Sequence, residues 1–551
     1  MSQASRNLPV LIAGGGPVGL SLAIELGTRG VECLLVERGN GSVPVPKMTQ
    51  LTTRTMEFCR RWGIADQVKA AAWPADHPGD FVYITSLTGY ELFRQRVPSF
   101  NELRGQMRDV PYTPEPGRQC PQIFFDPILL RHARSLPAVT LRHHVELRSY
   151  EQDADGVEAE LVDVQSGRSE TVRAEYLVGC DGFDGCVRKS LGTEYDGSGV
   201  LSYSVSIYFR SAELPSLHDK GWARFYRIVD ASGHWGDMIA VDGRELWRLT
   251  VLDADPAEDI RDFDVDACLR RAIGIDFPRE VLSVLPWRRR ELVAYRYRDR
   301  RVFIAGDAAH QSSPTGGLGM NTGVADAVDL GWKLAALREG WGGPVLLDSY
   351  EIERRPVAVG SVMASSRVYQ ETTSLPGGEA IAADSPEGEL ARKRFMEAFG
   401  GVRPVSEPIS ENVRLGYCYE DSPIICPDGT EPPQDGPTFI PSARPGTRAP
   451  HVWTAPGRSI LDDFGGGYVL LRLGANPPET EKVVEAAKVR GVPLKVLDLT
   501  DAGVHQLYER QLVLVRPDGH VAWRADEPPV DADDLIARVT GAILTPARTS
   551  S

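Results

Sequence analysis

The stretch Leu8-Pro9-Val10-Leu11-Ile12-Ala13-Gly14-Gly15-Gly16-Pro17-Val18-Gly19-Leu20 decides the fold. An apolar run of strand length ends in glycines, and behind it Val18, Leu20, Leu22, Ala23, Ile24 and Leu26 recur at helical spacing. The helix yields at Gly27 and Gly30, and Cys33-Leu34-Leu35-Val36-Glu37 makes a second short apolar strand that ends in an acid. Strand, tight turn, helix and strand form a βαβ unit. Gly14-x-Gly16-x-x-Gly19 sits in its turn, with Pro17 and Val18 opening the helix and Arg38 following Glu37. Glycines let the backbone turn tightly and approach a pyrophosphate at the helix amino terminus, while an acid at the next strand end accepts hydrogen bonds from a ribose diol. NAD and FAD fit equally well to this point.

A second signal lies nearly three hundred residues later. The apolar strand Val302-Phe303-Ile304-Ala305 delivers Gly306-Asp307 and then His310, and a second glycine-rich turn follows. It contains Pro314, Gly316, Gly317, Gly319, Met320 and Asn321 and opens a long helix whose free N–H groups face an anion or an electron-rich ring edge. A plain NAD dehydrogenase does not need it. Between the two signals, an apolar strand ends in Cys180-Asp181-Gly182, with Gly185 shortly after. Strand-favouring residues between 200 and 300, among them Tyr203, Val205, Tyr226, Trp235 and Trp247, predict a sheet-based second domain. Residues 371–440 are rich in Gly, Pro, Ser and Asp and read as a connector broken by one helix near 385–399.

The length of 551 residues exceeds what a single core sustains. A formal net charge of -15 sets a repulsive long-range field against a phosphate backbone and argues against a nucleic-acid partner. It also predicts a neutral or weakly charged substrate over a polyanionic one. The eight cysteines hold no CxxC pair and read as free thiols of a reducing compartment. No signal peptide is visible, and no run of about 18 apolar residues marks a membrane span. A cytoplasmic protein is therefore expected.

The three glycine–acid motifs together resemble the class A FAD-dependent aromatic hydroxylases, the family of para-hydroxybenzoate hydroxylase and phenol 2-monooxygenase. The resemblance covers roughly residues 8–370 and includes Arg54-Thr55-Met56-Glu57, Pro121-Gln122 and the tail Ser349-Tyr350-Glu351-x-Glu353-Arg354-Arg355-Pro356. It implies an α/β fold: a Rossmann-like FAD-binding domain with an inserted β-sheet substrate domain, followed by a thioredoxin-like C-terminal domain. The expected FAD-binding parts are 1–75, 111–190 and 296–400, the last including long helices. The substrate parts are an excursion at 76–110 and the sheet at 191–295; 401–440 is a linker and 441–551 the thioredoxin-like unit.

Carried over by residue, the resemblance places Gly14, Gly16 and Gly19 on the FAD pyrophosphate, with Pro17 and Val18 beside them, and Glu37 and Arg38 at the adenosine ribose. Gln122 contacts the flavin side, Gly306 and Asp307 the pyrophosphate–ribityl region, and Asp181 both FAD and a transient nicotinamide. Pro314 sits beside the isoalloxazine, and Gly316, Gly317, Gly319, Met320 and Asn321 lie along its pyrimidine edge. Two departures stand out: Lys47 where the family places an arginine at the moving flavin, and Gly185 where it places a serine.

The implied reaction uses tightly but non-covalently bound FAD, reduced by transient NADPH or NADH, and O2 that reaches a small aromatic substrate through a flavin C4a-hydroperoxide. Substrate ionisation favours hydroxylation, so a base or relay is sought in the 200–250 sheet. Tyr226 and His234 are named with Pro314 as catalytic candidates, and Arg224 and Trp235 as places to look; each sheet residue also reads as ordinary core or surface. The alternatives are a Baeyer–Villiger or polyketide-tailoring oxygenase on the same fold, and a flavin-binding protein without turnover. No WxWxIP segment supports a halogenase. The tail lacks cysteines after Cys426, so it is structural or associative, and the resemblance allows a homodimer joined through it.

Overall fold

A computed structural model of the chain describes residues 8–542 apart from 44, 72, 103–111, 258, 374–376, 402–410 and 432–438. Strand Leu8–Ala13 lies at the centre of a parallel sheet between Ser169–Gly179 and Cys33–Glu37, with Val302–Ile304 and Val139–His143 outside them. Its residues Val10 to Ala13 are buried on both faces, as a central parallel strand covered by helices requires. Helix Pro17–Thr28 on one side packs against helix Gly319–Arg338, whose Gly331 backs onto Glu25 with no room for a side chain. Strand Ser169–Gly179 does double duty: its first half pairs antiparallel with Val157–Asp163, and its second half joins the parallel sheet.

The second large sheet is mostly antiparallel. Its order runs His310–Gln311, Glu280–Ala294, Tyr195–Arg210, Leu246–Leu252, Gly233–Ala240, Phe225–Asp230, Phe81–Ile84, Glu91–Gln95. The early excursion thus forms the sheet's edge, pairing parallel through Phe81–Ile84 with Phe225–Asp230. Tyr226, Met238, Trp247 and Leu249 on one face bury against Leu269, Ala272 and Ile273 of helix Val265–Ile273. Phe225, Arg227, Asp237, Ile239, Arg248 and Thr250 point the other way, toward the FAD-type domain.

Two segments pack differently from the sequence expectation. Helix Pro386–Gly401, grouped with the third FAD part, packs on the substrate sheet, where Ile381 and Phe395 bury against Tyr83, Leu92 and Val229. The expected 401–440 linker lies partly outside the described residues; its described portion is not a tether, because Tyr419, Ile424 and Ile425 are buried with Trp332, Trp341 and Tyr468. Apolar side chains at those positions outweigh the loop-like composition around them.

The C-terminal unit has a four-stranded sheet ordered Leu494–Leu499, Tyr468–Leu473, Leu512–Val515, Val521–Ala525, the first pair parallel and the rest antiparallel. With helices Glu481–Val489, Ala502–Tyr508 and Ala532–Val539 it has thioredoxin-like topology. Its hairpin turn carries Arg516, Asp518 and His520 into the larger domain. Arg516 donates to both Glu353 oxygens at 2.6 and 2.9 Å, to Asp329 at 3.1 Å and to Asp518 at 2.6 Å. Lys333 donates to Asp329 at 2.7 Å and to Glu353 at 2.6 Å, and all five side chains are buried. Burial drives the Asp329 carboxyl up toward its neutral form, against the pull of Lys333. Burial also opposes the charges of Glu353 and Asp518, but Arg516 outweighs it and holds both below the usual carboxylate range. The cluster therefore closes with its cations and anions matched.

Removing one member leaves uncompensated buried charge. Arg516→Met is expected to destabilise the chain by about 3–5 kcal/mol, read as a lower thermal unfolding temperature; an unchanged temperature contradicts the cluster's role. Burial also presses His520 and His451 down to about 4, so the folded chain refuses protons that the unfolded chain takes up between the ordinary histidine pKa of about 6.5 and 4. Stability is accordingly expected to fall as pH drops through that window, and a melting temperature flat from neutrality to pH 4 argues against it.

Candidate active site

The first loop has the geometry of an anion cradle. Gly14 holds φ at +106°, and a Cβ there meets the Cys180 carbonyl oxygen at 2.3 Å. A Cβ at Gly19 lies 2.0 Å from the Gly14 oxygen, so helix Pro17–Thr28 approaches the strand as closely as it does only with glycine. Gly16 instead faces open space, and no side chain caps the helix end behind it. The amino terminus is therefore free for an anion. The Glu37 carboxylate accepts from the Gly15 N–H at 2.7 Å and the Gly39 N–H at 2.6 Å and borders the same cavity, with lone pairs left for a diol.

The second loop packs onto the first. Gly306, at φ +62°, sits against Val18, where a Cβ meets its methyl at 2.8 Å. The turn Gly306–Ala308 presents Asp307 to the cavity and is held from behind by Asp326, which accepts from the Gly306 N–H at 3.2 Å and pairs with His310 at 2.8 Å and Arg354 at 2.8 Å. Burial opposes the Asp326 charge, yet Arg354 and His310 keep its pKa lowered. Pro314, Gly316 and Gly317 then line the cavity, and helix Gly319–Arg338 begins with Gly319 and Met320 at its wall.

Asn321 has a different place from the one expected. Its amide donates to the carbonyls of Gln50 and Gly317 at 3.0 and 2.6 Å, and its oxygen accepts from the Thr52 N–H at 2.9 Å and the Thr55 hydroxyl at 2.7 Å. Every polar atom of that side chain is committed, so it clamps the loop 47–52 to the helix and does not border the cavity. Gly19 and Gly306 likewise act from behind the wall, by close packing.

Asp181 borders the cavity with burial raising its pKa; one oxygen accepts from the Val187 N–H at 3.1 Å and the other is buried without a partner among the described residues. A Cβ at Gly185 lies 2.1 Å from the Asp181 carboxyl carbon, so glycine there gives the carboxyl room to hold this orientation. Gln122, at the start of helix Gln122–Ser135, borders the cavity and donates to Asp126 at 2.9 Å. Burial lifts Asp126 to about 7 despite Gln122 and the nearby Lys47, which is exposed at the cavity edge. Pro17, Val18 and Arg38 complete this side.

Two catalytic candidates are corrected. Tyr226 points to the far face of the sheet, where its hydroxyl donates to the Gly221 carbonyl at 2.5 Å and accepts from the Ala223 N–H at 3.0 Å. Strand alternation puts its neighbours Phe225 and Arg227 in the cavity and Tyr226 in the core. Trp235 also packs in that core, under Arg271. His234 lies one layer behind the wall, its ring nitrogens 3.1 Å from the Thr372 carbonyl and 3.0 Å from Asp237. Asp237 is the wall residue; burial opposes its charge, but His234, then Arg227 and Arg289, hold it down at about 2. That excludes it as a base near neutrality. Arg224 is at the wall as expected. Arg227, Asp237, Arg248 and Arg289 escaped the sequence reading, although polar residues at alternate positions of apolar strands were the signal for the first three.

The lining residues named above border one cavity of about 840 Å³ that takes in both the Gly14 turn and the sheet face. Among the described residues no group of His, Cys, Asp and Glu is arranged to hold a metal, and no helix is long and apolar enough to cross a membrane.

Comparison with known proteins places this geometry. Residues 7–365 match the profile of the FAD binding domain, and 442–545 that of the C-terminal domain of aromatic-ring hydroxylases. The FAD-dependent monooxygenase apdD of Emericella nidulans is 33% identical over 98% of this chain and 92% of its own. Aklavinone 12-hydroxylase RdmE of Streptomyces purpurascens is 34% identical over 98% and 99%. The solved structure of the rebeccamycin biosynthetic enzyme RebC with reduced flavin superposes with a TM-score of 0.90 at 39% identity, covering 98% of this chain and 100% of that one. The chain therefore belongs to the FAD-dependent aromatic-ring hydroxylases, monooxygenases with a two-loop FAD domain and an aromatic-ring hydroxylase C-terminal domain.

Proposed function

We propose that the chain hydroxylates an aromatic substrate of the polyketide type bound between the Pro314–Met320 loop and the sheet face, with FAD laid along the loop side of the cavity. The single cavity joining the two nucleotide-type loops to the sheet carries this reading. The relatives named polyketide hydroxylase, tetracenomycin B2 monooxygenase-dioxygenase and aklavinone 12-hydroxylase support the substrate class.

When bound, FAD supplies electron transfer from NADH or NADPH and activation of O2. The chain does the rest. The uncapped end of helix Pro17–Thr28 and the Gly14 turn would hold the pyrophosphate, and Glu37 the adenosine ribose. Asp307, at the cavity, would accept a hydrogen bond from the ribityl region. The amino terminus of helix Gly319–Arg338 offers positive dipole to the negative edge of reduced flavin. Lys47, a point charge on a flexible stem at the cavity edge, would offer its ammonium to the flavin side of the bound cofactor. The sheet wall excludes water from the oxygen-transfer space, which limits peroxide leakage. Asp237, ionised and fixed by His234, accepts a hydrogen bond from a substrate hydroxyl and orients it; Pro314 sets the ring-side boundary. The cysteine-free tail serves a structural role through its buried contacts with the larger domain, and a homodimer joined through it remains part of this reading.

Incubation with NADH or NADPH, isotopically labelled O2 and a panel of hydroxylated anthraquinones is expected to yield a product carrying one labelled oxygen. Flavin reoxidation that gives only hydrogen peroxide across the panel overturns the reading, and ring expansion to an ester redirects it to a Baeyer–Villiger outcome. Gly14→Ala is expected to weaken FAD binding at least about tenfold, since roughly 1.4 kcal/mol of backbone strain suffices for that. Visible flavin absorbance in the purified variant measures it.

A further inference from the structure

The sheet side of the cavity is far more cationic than the whole chain. Arg224, Arg227, Arg248 and Arg289 all border it, and Asp237 is the carboxylate set among them. Each guanidinium is anchored at one end to a neutral group. Arg227 donates to the Tyr83 hydroxyl at 2.9 Å, Arg248 to the Pro46 carbonyl, Arg289 to the Ser313 hydroxyl at 2.7 Å, and Arg224 to the Thr49 hydroxyl at 3.2 Å. In all four the Nε–H is buried and has no hydrogen-bond partner among the described residues. A buried charged donor without a partner costs several times what an ordinary hydrogen bond contributes, so four in one wall call for a ligand. Burial lowers Arg224 to about 9 and Arg248 to about 10, which still leaves both charged at neutral pH.

The register sharpens the location. Arg227 lies opposite Asp237 on neighbouring strands, and Arg248 opposite Ile239 one pleat along. Phe225, stacked on Phe81 at 5.0 Å between ring centres, shares their face. An aromatic slab thus adjoins two guanidiniums whose terminal Nη1 is fixed; the Nε edge of Arg248 is open, and that of Arg227 faces Asp237 at 3.7 Å, an ion pair beyond hydrogen-bond reach. The Nε edge is the one that grips a carboxylate side-on.

We propose that the substrate is an aromatic carboxylate, and that Arg227 and Arg248 bind its carboxylate on the sheet face, with Arg224 and Arg289 supplying the field around them. The inference rests on the reading of this cavity as the substrate site and deepens it. It reverses the expectation drawn from the acidic net charge, because surface charge is screened within about 10 Å while the buried wall is not.

The test uses the FAD-loaded protein and three fluorescent probes: anthracene-2-carboxylate, its methyl ester and 2-hydroxyanthracene, the last neutral at pH 7.5. The acid is expected to bind at least about tenfold tighter than either neutral probe, with the advantage shrinking as salt rises. Arg227→Gln and Arg248→Gln are each expected to weaken acid binding roughly ten- to hundredfold and leave ester binding unchanged, while Arg248→Lys restores part of it. FAD content and unfolding temperature of each variant show that the fold is kept. Equal binding of acid and ester by the parent, or loss of both probes together in correctly folded variants, overturns the proposal. A tightly bound acid with no labelled oxygen transferred to any substrate overturns the hydroxylase reading and leaves the carboxylate site standing.

Discussion

Helix Gly319–Arg338 and its buried polar contacts hold the rest of the molecule in register. Its first turn borders the cavity, and Asn321 clamps the loop that carries Lys47. Two turns on, Asp326 fixes the Asp307 turn through Gly306 and binds Arg354. A turn beyond that, Asp329 and Lys333 join the cluster that locks Arg516 of the C-terminal unit. Site, domain core and tail are thus tied to one rigid rod. Each tie is a buried polar contact whose loss strands another charge or donor, which makes these contacts strong determinants of geometry even where their net contribution to stability is modest.

The tail shares the topology of a redox domain without its chemistry. It has no thiol pair, and it spends its polar groups on the larger domain: in the hairpin turn Asp518 offers its backbone carbonyl to Arg54, and in the segment before the sheet Arg448 grips Glu57, with Glu57 held low by Arg448 and Arg54 against its burial. Arg54 and Glu57 belong to the helix Thr53–Arg61 that follows the clamped loop. The unit therefore buttresses the wall behind the flavin-side loop, a mechanical role that explains why the segment before it is packed and not extended.

Much of this was legible in the sequence where backbone chemistry dictates residue type. Gly14 and Gly19 have no alternative, since a Cβ at either collides with backbone, and Glu37 is fixed by its place at a strand end. The order of the glycine–acid motifs gave the two-part FAD domain. The sheet face was not legible, because which residue enters the cavity depends on strand parity, and a bulge between Ile228 and Val229 shifts that parity midway along the pair. Tyr226 and Trp235, named as candidates although ordinary core was the alternative, pack in that core, and Arg227 and Asp237 were overlooked. Asn321 has a part that the sequence did not reveal: its four side-chain hydrogen bonds lie within the protein. Net charge averages a cationic cavity wall into an acidic whole, so it says nothing of the wall itself.

The central claim is that one cavity seats the cofactor along the two loops with its reactive ring facing the arginine-lined sheet. A crystal structure of the FAD-reconstituted protein tests this most directly. The account predicts the pyrophosphate at the Gly14–Gly19 turn and the isoalloxazine against Pro314–Met320, with its open face toward Phe225, Arg227 and Arg248. An isoalloxazine lodged away from that loop, or separated from the sheet face by packed side chains, contradicts it.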